Sequence, residues 1–184
     1  MQPCKCELEM VLRSLHILAG PPGAGKTTVL RALSKRVDVV AEPARRVLAQ
    51  QRATGGVGTG DGDRALFVRL MLEMAQRDHL KAPAQAVFDR GLPDLLAFCA
   101  HYALPALAVR RAIKAHPYAR DVFWFPPWQA IYAQDDERKL DFEGAVGFSD
   151  LIQNAYAQSG YTLINVPKTT PQARADFILK RINA

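Results

Sequence analysis

An α/β fold, a five-stranded parallel sheet covered by helices on both faces, is what the chain's pattern predicts, and two observations carry it. Short apolar runs recur at Leu15 to Ala19, Val37 to Ala41, Ala86 to Asp89, Asp121 to Phe125 and Tyr161 to Val166, with helix-compatible stretches between them. Strands that alternate with helices pair in parallel and are buried on both faces. The second observation is Gly20-Pro-Pro-Gly-Ala-Gly-Lys-Thr27, a glycine-rich turn between the first strand and the first helix.

The first apolar run ends at Gly20, and a helix follows from Thr27 to Arg36 with apolar positions at Val29, Leu30 and Leu33. Val37 to Ala41 reads as a second buried strand, closed by Glu42-Pro43 because proline cannot continue a ladder. A helix is expected from about Ala44 to Arg52. Residues 54–62 hold five glycines in nine positions, which predicts a mobile loop, and Asp63 is placed to cap a helix running to about His79. The remaining three runs supply the third, fourth and fifth strands.

With 184 residues, of which 49% are apolar and 23% charged, the chain has the size and composition of one globular domain. A single domain over residues 1–184 is therefore expected, with 1–12 as a flexible or peripheral N-terminus. No apolar run approaches the roughly 18 residues of a membrane span, and the start Met1-Gln-Pro-Cys-Lys-Cys-Glu lacks the zones of a signal peptide. A cytoplasmic protein is the expectation. Cys4, Cys6 and Cys99 cannot all pair and are too few for a structural zinc site, so they read as reduced thiols. The net charge of +6 is spread over small clusters such as Arg45-Arg46 and Arg110-Arg111-Lys114, which suits a solvated basic surface and requires no nucleic acid.

Gly20, Gly25, Lys26 and Thr27 meet the spacing G-x-x-x-x-G-K-[ST] of a phosphate-binding P-loop. The glycines let successive N–H groups turn inward toward phosphate oxygens, and the following helix adds the positive end of its dipole. Gly20, Pro22, Gly23, Ala24, Gly25, Lys26, Thr27 and Thr28 are thus the candidate nucleotide site. In it Lys26 reaches the β- and γ-phosphates of ATP or GTP, and Thr27 holds Mg²⁺ through its hydroxyl.

Further candidates lie at the carboxyl ends of the strands, where open α/β sheets bind ligands. Asp89 is either the second metal residue or a strand-end cap. Arg90, beside it, is a candidate for a phosphate oxygen of the substrate, and Asp94 a capping or supporting residue. Glu42 is placed to orient or deprotonate an acceptor hydroxyl, with Arg45 one turn on to bind an anionic acceptor; a surface Glu–Arg pair is the alternative. Gln134-Asp-Asp-Glu-Arg138-Lys139 reads as a lid delivering Arg138 to the transferring phosphoryl group or as a solvated charge run. Pro167 and Lys168 either flank the base or form a plain loop.

Taken together, these residues resemble the family of small AAA-labelled, kinase-like P-loop ATPases. The resemblance rests on Gly-Pro-Pro-Gly-Ala-Gly-Lys-Thr-Thr28, Glu42 with Arg45, Phe88-Asp-Arg-Gly-Leu-Pro-Asp94, Phe125-Pro-Pro-Trp128, Ile131-Tyr132 with Asp136 and Arg138, Gly160-Tyr161, and Val166-Pro167 with Arg174. It implies a three-layer P-loop NTPase fold with the kinase-like strand order 2-3-1-4-5. Glu42-Pro43 and Asp89-Arg90 are more distantly similar to thymidylate and deoxynucleoside kinases, where the Glu faces the acceptor and the Asp-Arg pair sits beside metal and phosphate. Gly91, in place of the usual aromatic residue, and the loop at 54–62 depart from thymidylate kinases. The leading expectation is an ATP- and Mg²⁺-dependent kinase for a small hydroxyl- or phosphate-bearing acceptor. The alternative is an ATP- or GTP-binding hydrolase or switch that acts on a protein or lipid partner. Oligomeric state is left open, a homodimer included.

Overall fold

The computed structural model describes residues 14–133 and 140–183. Five strands form one parallel sheet: β1 His16–Ala19, β2 Val39–Val40, β3 Val87–Asp89, β4 Asp121–Trp124 and β5 Thr162–Asn165. They are ordered β2-β3-β1-β4-β5, as the resemblance implies. β1 lies at the centre and is buried throughout, which its near-continuous apolar sequence requires.

Alternation along the strands divides the core in two. Ile17, Ala19, Phe88, Val122 and Trp124 face one layer of helices. Leu18, Val87, Phe123 and Phe125 face the other. The first layer is built from α2 (Pro43–Thr54), α3 (Arg64–Lys81), α4 (Asp94–His101), α5 (Leu107–Ala115) and α6 (Phe142–Gln158). The second is built from α1 (Lys26–Leu33), which contributes Val29, Leu30 and Leu33, and α7 (Pro171–Ile182), which contributes Ala175, Ile178 and Leu179.

The second strand departs from expectation. It spans only Val39–Val40 and is half-buried, whereas the apolar run Val37 to Ala41 reads as a buried strand. Its place at the sheet edge explains this: β2 pairs with β3 alone, and Pro43 opens α2 at once. The glycine-rich segment, which the sequence reads as a mobile loop, carries defined hydrogen bonds to its flanks. Asp63 N–H donates to Val57 O at 2.7 Å and Gly58 N–H to Gln51 Oε1 at 2.9 Å. Asp63 caps α3 by accepting from Leu66 N–H at 2.9 Å, as its position predicts.

The register sets the site. Leu18 stands opposite Asp89 on one side and Phe123 on the other, and Arg90 N–H donates to Leu18 O at 3.0 Å. The turn at Gly20 and the residues leaving β2 and β3 therefore emerge on one edge. Among the described residues, no helix is long and apolar enough to cross a membrane. Cys99 is a buried free thiol, and Cys4 and Cys6 lie outside the described residues, as does the proposed N-terminal segment 1–12.

Leu33 is fully buried between α1 and α7. Leu33→Ala is expected to lower the free energy of unfolding by about 2–5 kcal/mol, read by urea titration.

Candidate active site

The turn from β1 into α1 is shaped by glycines at positive φ. Gly20 has φ 141°, and a Cβ there would come within 2.3 Å of Phe125 O, so the loop and β4 can approach only without a side chain. Gly23 has φ 80°, and its missing side chain leaves room for the Tyr132 ring, which a Cβ would meet at 2.4 Å. Lys26 opens the helix and is buried; its Nζ donates to Gly20 O and Pro21 O, both at 2.8 Å. The ammonium thus rests on the carbonyls of its own loop. Burial, then the positive charge of Arg90, push its pKa down to about 7.

Thr27 Oγ1 lies 3.3 Å from Asp89 Oδ2, joining the loop to the end of β3. The other carboxylate oxygen, Oδ1, is buried with no hydrogen-bond partner. Burial and the nearby Glu42 raise the Asp89 pKa to about 6, against the opposing pull of Lys26 and Arg90. A buried carboxylate with an unmatched oxygen beside a threonine hydroxyl fits a Mg²⁺ ion, which commonly takes one or two protein ligands and completes its shell with phosphate oxygens and water.

Arg90 is the hub of the strand ends. It occupies the left-handed region at φ 73° and is almost wholly buried. Its Nε donates to Glu42 Oε1 at 2.8 Å, and its Nη1 donates to Asp94 Oδ1 at 2.8 Å and to Gly20 O at 3.0 Å. Asp94 also accepts from Gly91 N–H at 3.0 Å and from the Tyr156 hydroxyl. Glu42 Oε2 accepts from Arg45 Nε at 3.3 Å. Burial would raise the Glu42 pKa, but Arg90, Lys26 and Arg45 hold it below the ordinary carboxylate value.

A cleft of about 740 Å³ opens over these groups. At one end it is lined by Pro22, Gly23, Lys26, Thr27 and Thr28 of the loop. From there it runs along α2, past Glu42, Arg45, Leu48 and Arg52. The turn Thr59–Asp61 and the side chains of Arg64, Phe98 and Tyr102 close the far end.

The structure thus brings together Lys26, Thr27, Glu42, Arg45, Asp89 and Arg90. Arg90, expected to face a substrate, lines the cleft and has its Nε and Nη1 engaged by Glu42, Asp94 and the Gly20 carbonyl. Pro167 and Lys168 are exposed and do not line the cleft. Arg138 lies outside the described residues, with the rest of the expected lid at 134–139.

Two residues at the site had no role assigned from sequence. Tyr156 is fully buried in α6 and meets Asp94; nothing local in its sequence distinguishes it from an ordinary core aromatic. Arg174 of α7 is also buried, donates from Nη2 to Ala24 O at 3.1 Å, and lies 4.3 Å over the Phe125 ring and 5.5 Å over Trp128. A signal for it existed: an arginine four residues before Ile178 sits on the apolar stripe of an amphipathic helix.

The family model AAA_28, described as an AAA domain, matches residues 15–174. The chain belongs to this family. No curated protein matches it in sequence. Solved structures resemble this AAA domain in fold at low identity. NadR protein in complex with NR is 17% identical with a TM-score of 0.70, the match covering 94% of this chain and 52% of that one. The AAA domain therefore spans about half the length of NadR. Shikimate kinase from Acinetobacter baumannii, in complex with shikimate, is 16% identical over 96% of both chains with a TM-score of 0.59. Deoxyadenosine kinase from M. mycoides is 15% identical over 92% of this chain and 98% of that one, with a TM-score of 0.63. The fold is that of kinase-like P-loop proteins.

The raised pKa of Asp89 fixes the sign of a pH effect. The folded protein retains a proton that the unfolded chain releases near the ordinary value of 3.8, so the carboxylate weakens the fold progressively as pH rises from 3.8 through about 6. Asp89→Asn is expected to raise the Tm at pH 7.5, with the gain shrinking as pH falls through 6 and absent below 3.8. A thermal-melt series across that range measures it.

Proposed function

We propose that this AAA domain is a Mg²⁺-dependent kinase that transfers the γ-phosphoryl group of ATP to a small-molecule acceptor. The observation that carries the reading is the continuity of one cleft, which holds the phosphate loop at one end and the carboxylate of Glu42 beside it. A nucleotide switch needs the first element and has no use for a walled acceptor chamber. Solved neighbours with shikimate or with dCMP and dCDP are kinases of the same fold, which supports the reading by analogy.

In this reading the backbone N–H groups of the loop bind the phosphates. Lys26 leaves the Gly20 and Pro21 carbonyls for phosphate oxygens, a better match for a cation. Its lowered pKa means that triphosphate binding above pH 7 draws a proton onto the amine. Thr27 and Asp89 would hold Mg²⁺, which supplies charge neutralisation for the transferring group. Glu42, kept ionised by its arginines, orients the acceptor hydroxyl toward the γ-phosphate.

Lys26→Ala is expected to abolish acceptor-stimulated ADP release while the circular-dichroism spectrum stays native. Glu42→Gln is expected to lower kcat about 100-fold with ATP affinity retained. Phosphate release unaffected by any acceptor, from a panel of nucleosides, nucleotides, sugars and cofactors, would overturn the kinase reading.

A further inference from the structure

The cleft carries a charge gradient along α2. Around the phosphate loop, Lys26 and Arg90 are met by the carboxylates of Glu42, Asp89 and Asp94. Farther along, Arg45, Arg52 and Arg64 line the cleft, and among the described residues Asp61 is the carboxylate that lines it with them. Arg45, Leu48 and Arg52 follow one another at three- and four-residue spacing, so one stripe of α2 presents a cation, an apolar group and a second cation to the cleft. At about 1.5 Å per residue, Arg52 stands about 15 Å beyond Glu42 along the helix axis.

The wall of the cleft is also aromatic. Phe98 and Tyr102 come from the α4 side, Phe67 from α3 and Phe148 from α6. Arg64 lies 5.2 Å over the Tyr102 ring, and its Nε donates to Gly60 O at 3.1 Å, so the guanidinium is held at the rim by the glycine-rich turn. That turn packs closely on Tyr102: a Cβ at Gly60 would come within 2.8 Å of the Tyr102 hydroxyl oxygen.

Resting on the kinase reading, we propose that the acceptor is a nucleoside-sized hydroxyl compound with a planar ring and an anionic group at the end remote from its hydroxyl. The hydroxyl meets Glu42, the ring lies against the aromatic wall, and the anion meets Arg52 and Arg64. An anion beside the hydroxyl would instead confront Glu42. The transfer balances simply: the acceptor oxygen bonds to the γ-phosphorus, the bond to the β-phosphate oxygen breaks, ADP leaves, and the hydroxyl proton is released to solvent. The distal anion takes no part in bond making.

Two matched pairs test this: 5-carboxyuridine against uridine, and nicotinic acid riboside against nicotinamide riboside. Calorimetry on the protein loaded with AMP-PNP is expected to show the carboxylate member of each pair binding at least about tenfold more tightly. In an Arg52→Gln/Arg64→Gln double variant the ratio is expected to fall to near one, and in Asp61→Asn it is expected to rise. Equal binding within either pair, no binding of the carboxylate nucleosides, or a ratio that survives the double variant overturns the proposal. If the double variant does not fold, Asp61→Asn decides, and an unchanged or smaller ratio overturns it. The expected binding ratios without any ADP release would overturn the kinase reading and leave this assignment of the chamber standing.

Discussion

The guanidinium of Arg90 ties the functional edge of the sheet together. Through Glu42 it fixes the end of β2 and the start of α2; through Asp94 it fixes α4, and through the Tyr156 hydroxyl on that carboxylate it reaches α6; through Gly20 O it fixes the phosphate loop. Its backbone lies in the left-handed region, a conformation that costs a bulky residue about 1–3 kcal/mol and persists only where its surroundings hold it. Two carboxylates offset the burial of its charge. Removing one partner from such a network leaves an uncompensated buried charge, which costs far more than the pair contributes.

That arrangement accounts for the electrostatics of the neighbouring groups. Arg90 is near enough to Lys26 to depress the amine's pKa, and Glu42 near enough to Asp89 to raise the carboxyl's. Burial works in the same direction for both, disfavouring the charged forms of Lys26 and Asp89 alike. A phosphate chain accompanied by a divalent cation would reverse both shifts, since it brings negative charge to the lysine and positive charge to the aspartate. The site is therefore electrostatically unfavourable to itself and favourable to its ligand, the usual relation between stability and function at a polar cleft. Arg174 works from the other side of the sheet, gripping Ala24 O while stacked on Phe125, so the loop is held from below as well as from the strand ends.

Much of this was legible in the chain. The phosphate loop is local: its glycines, Lys26 and Thr27 are consecutive, and their spacing alone determines which backbone groups can turn inward. The strand runs were legible because a central parallel strand must be apolar on both faces, and Ile17 with Leu18 satisfies that. Asp63 as a helix cap was equally local. The edge strand was overread, since an apolar run carries no mark of how many neighbours it will find. Arg90 beside Asp89 suggests a phosphate contact from local sequence; that Glu42, 48 positions earlier, and Asp94 close on it depends on the strand order.

Sequence by itself determined the fold class, the phosphate loop and the candidate roles of Lys26, Thr27 and Asp89, because each follows from short-range periodicity or from a motif whose chemistry is complete within a few residues. Tertiary structure alone decided that Glu42 and Asp94 close on Arg90, that Tyr156 meets Asp94, and that the glycine-rich turn walls a chamber with its arginines at the far end. Those facts rest on contacts between segments far apart in the chain, whose distances are set by sheet order and helix packing and leave no trace in local spacing.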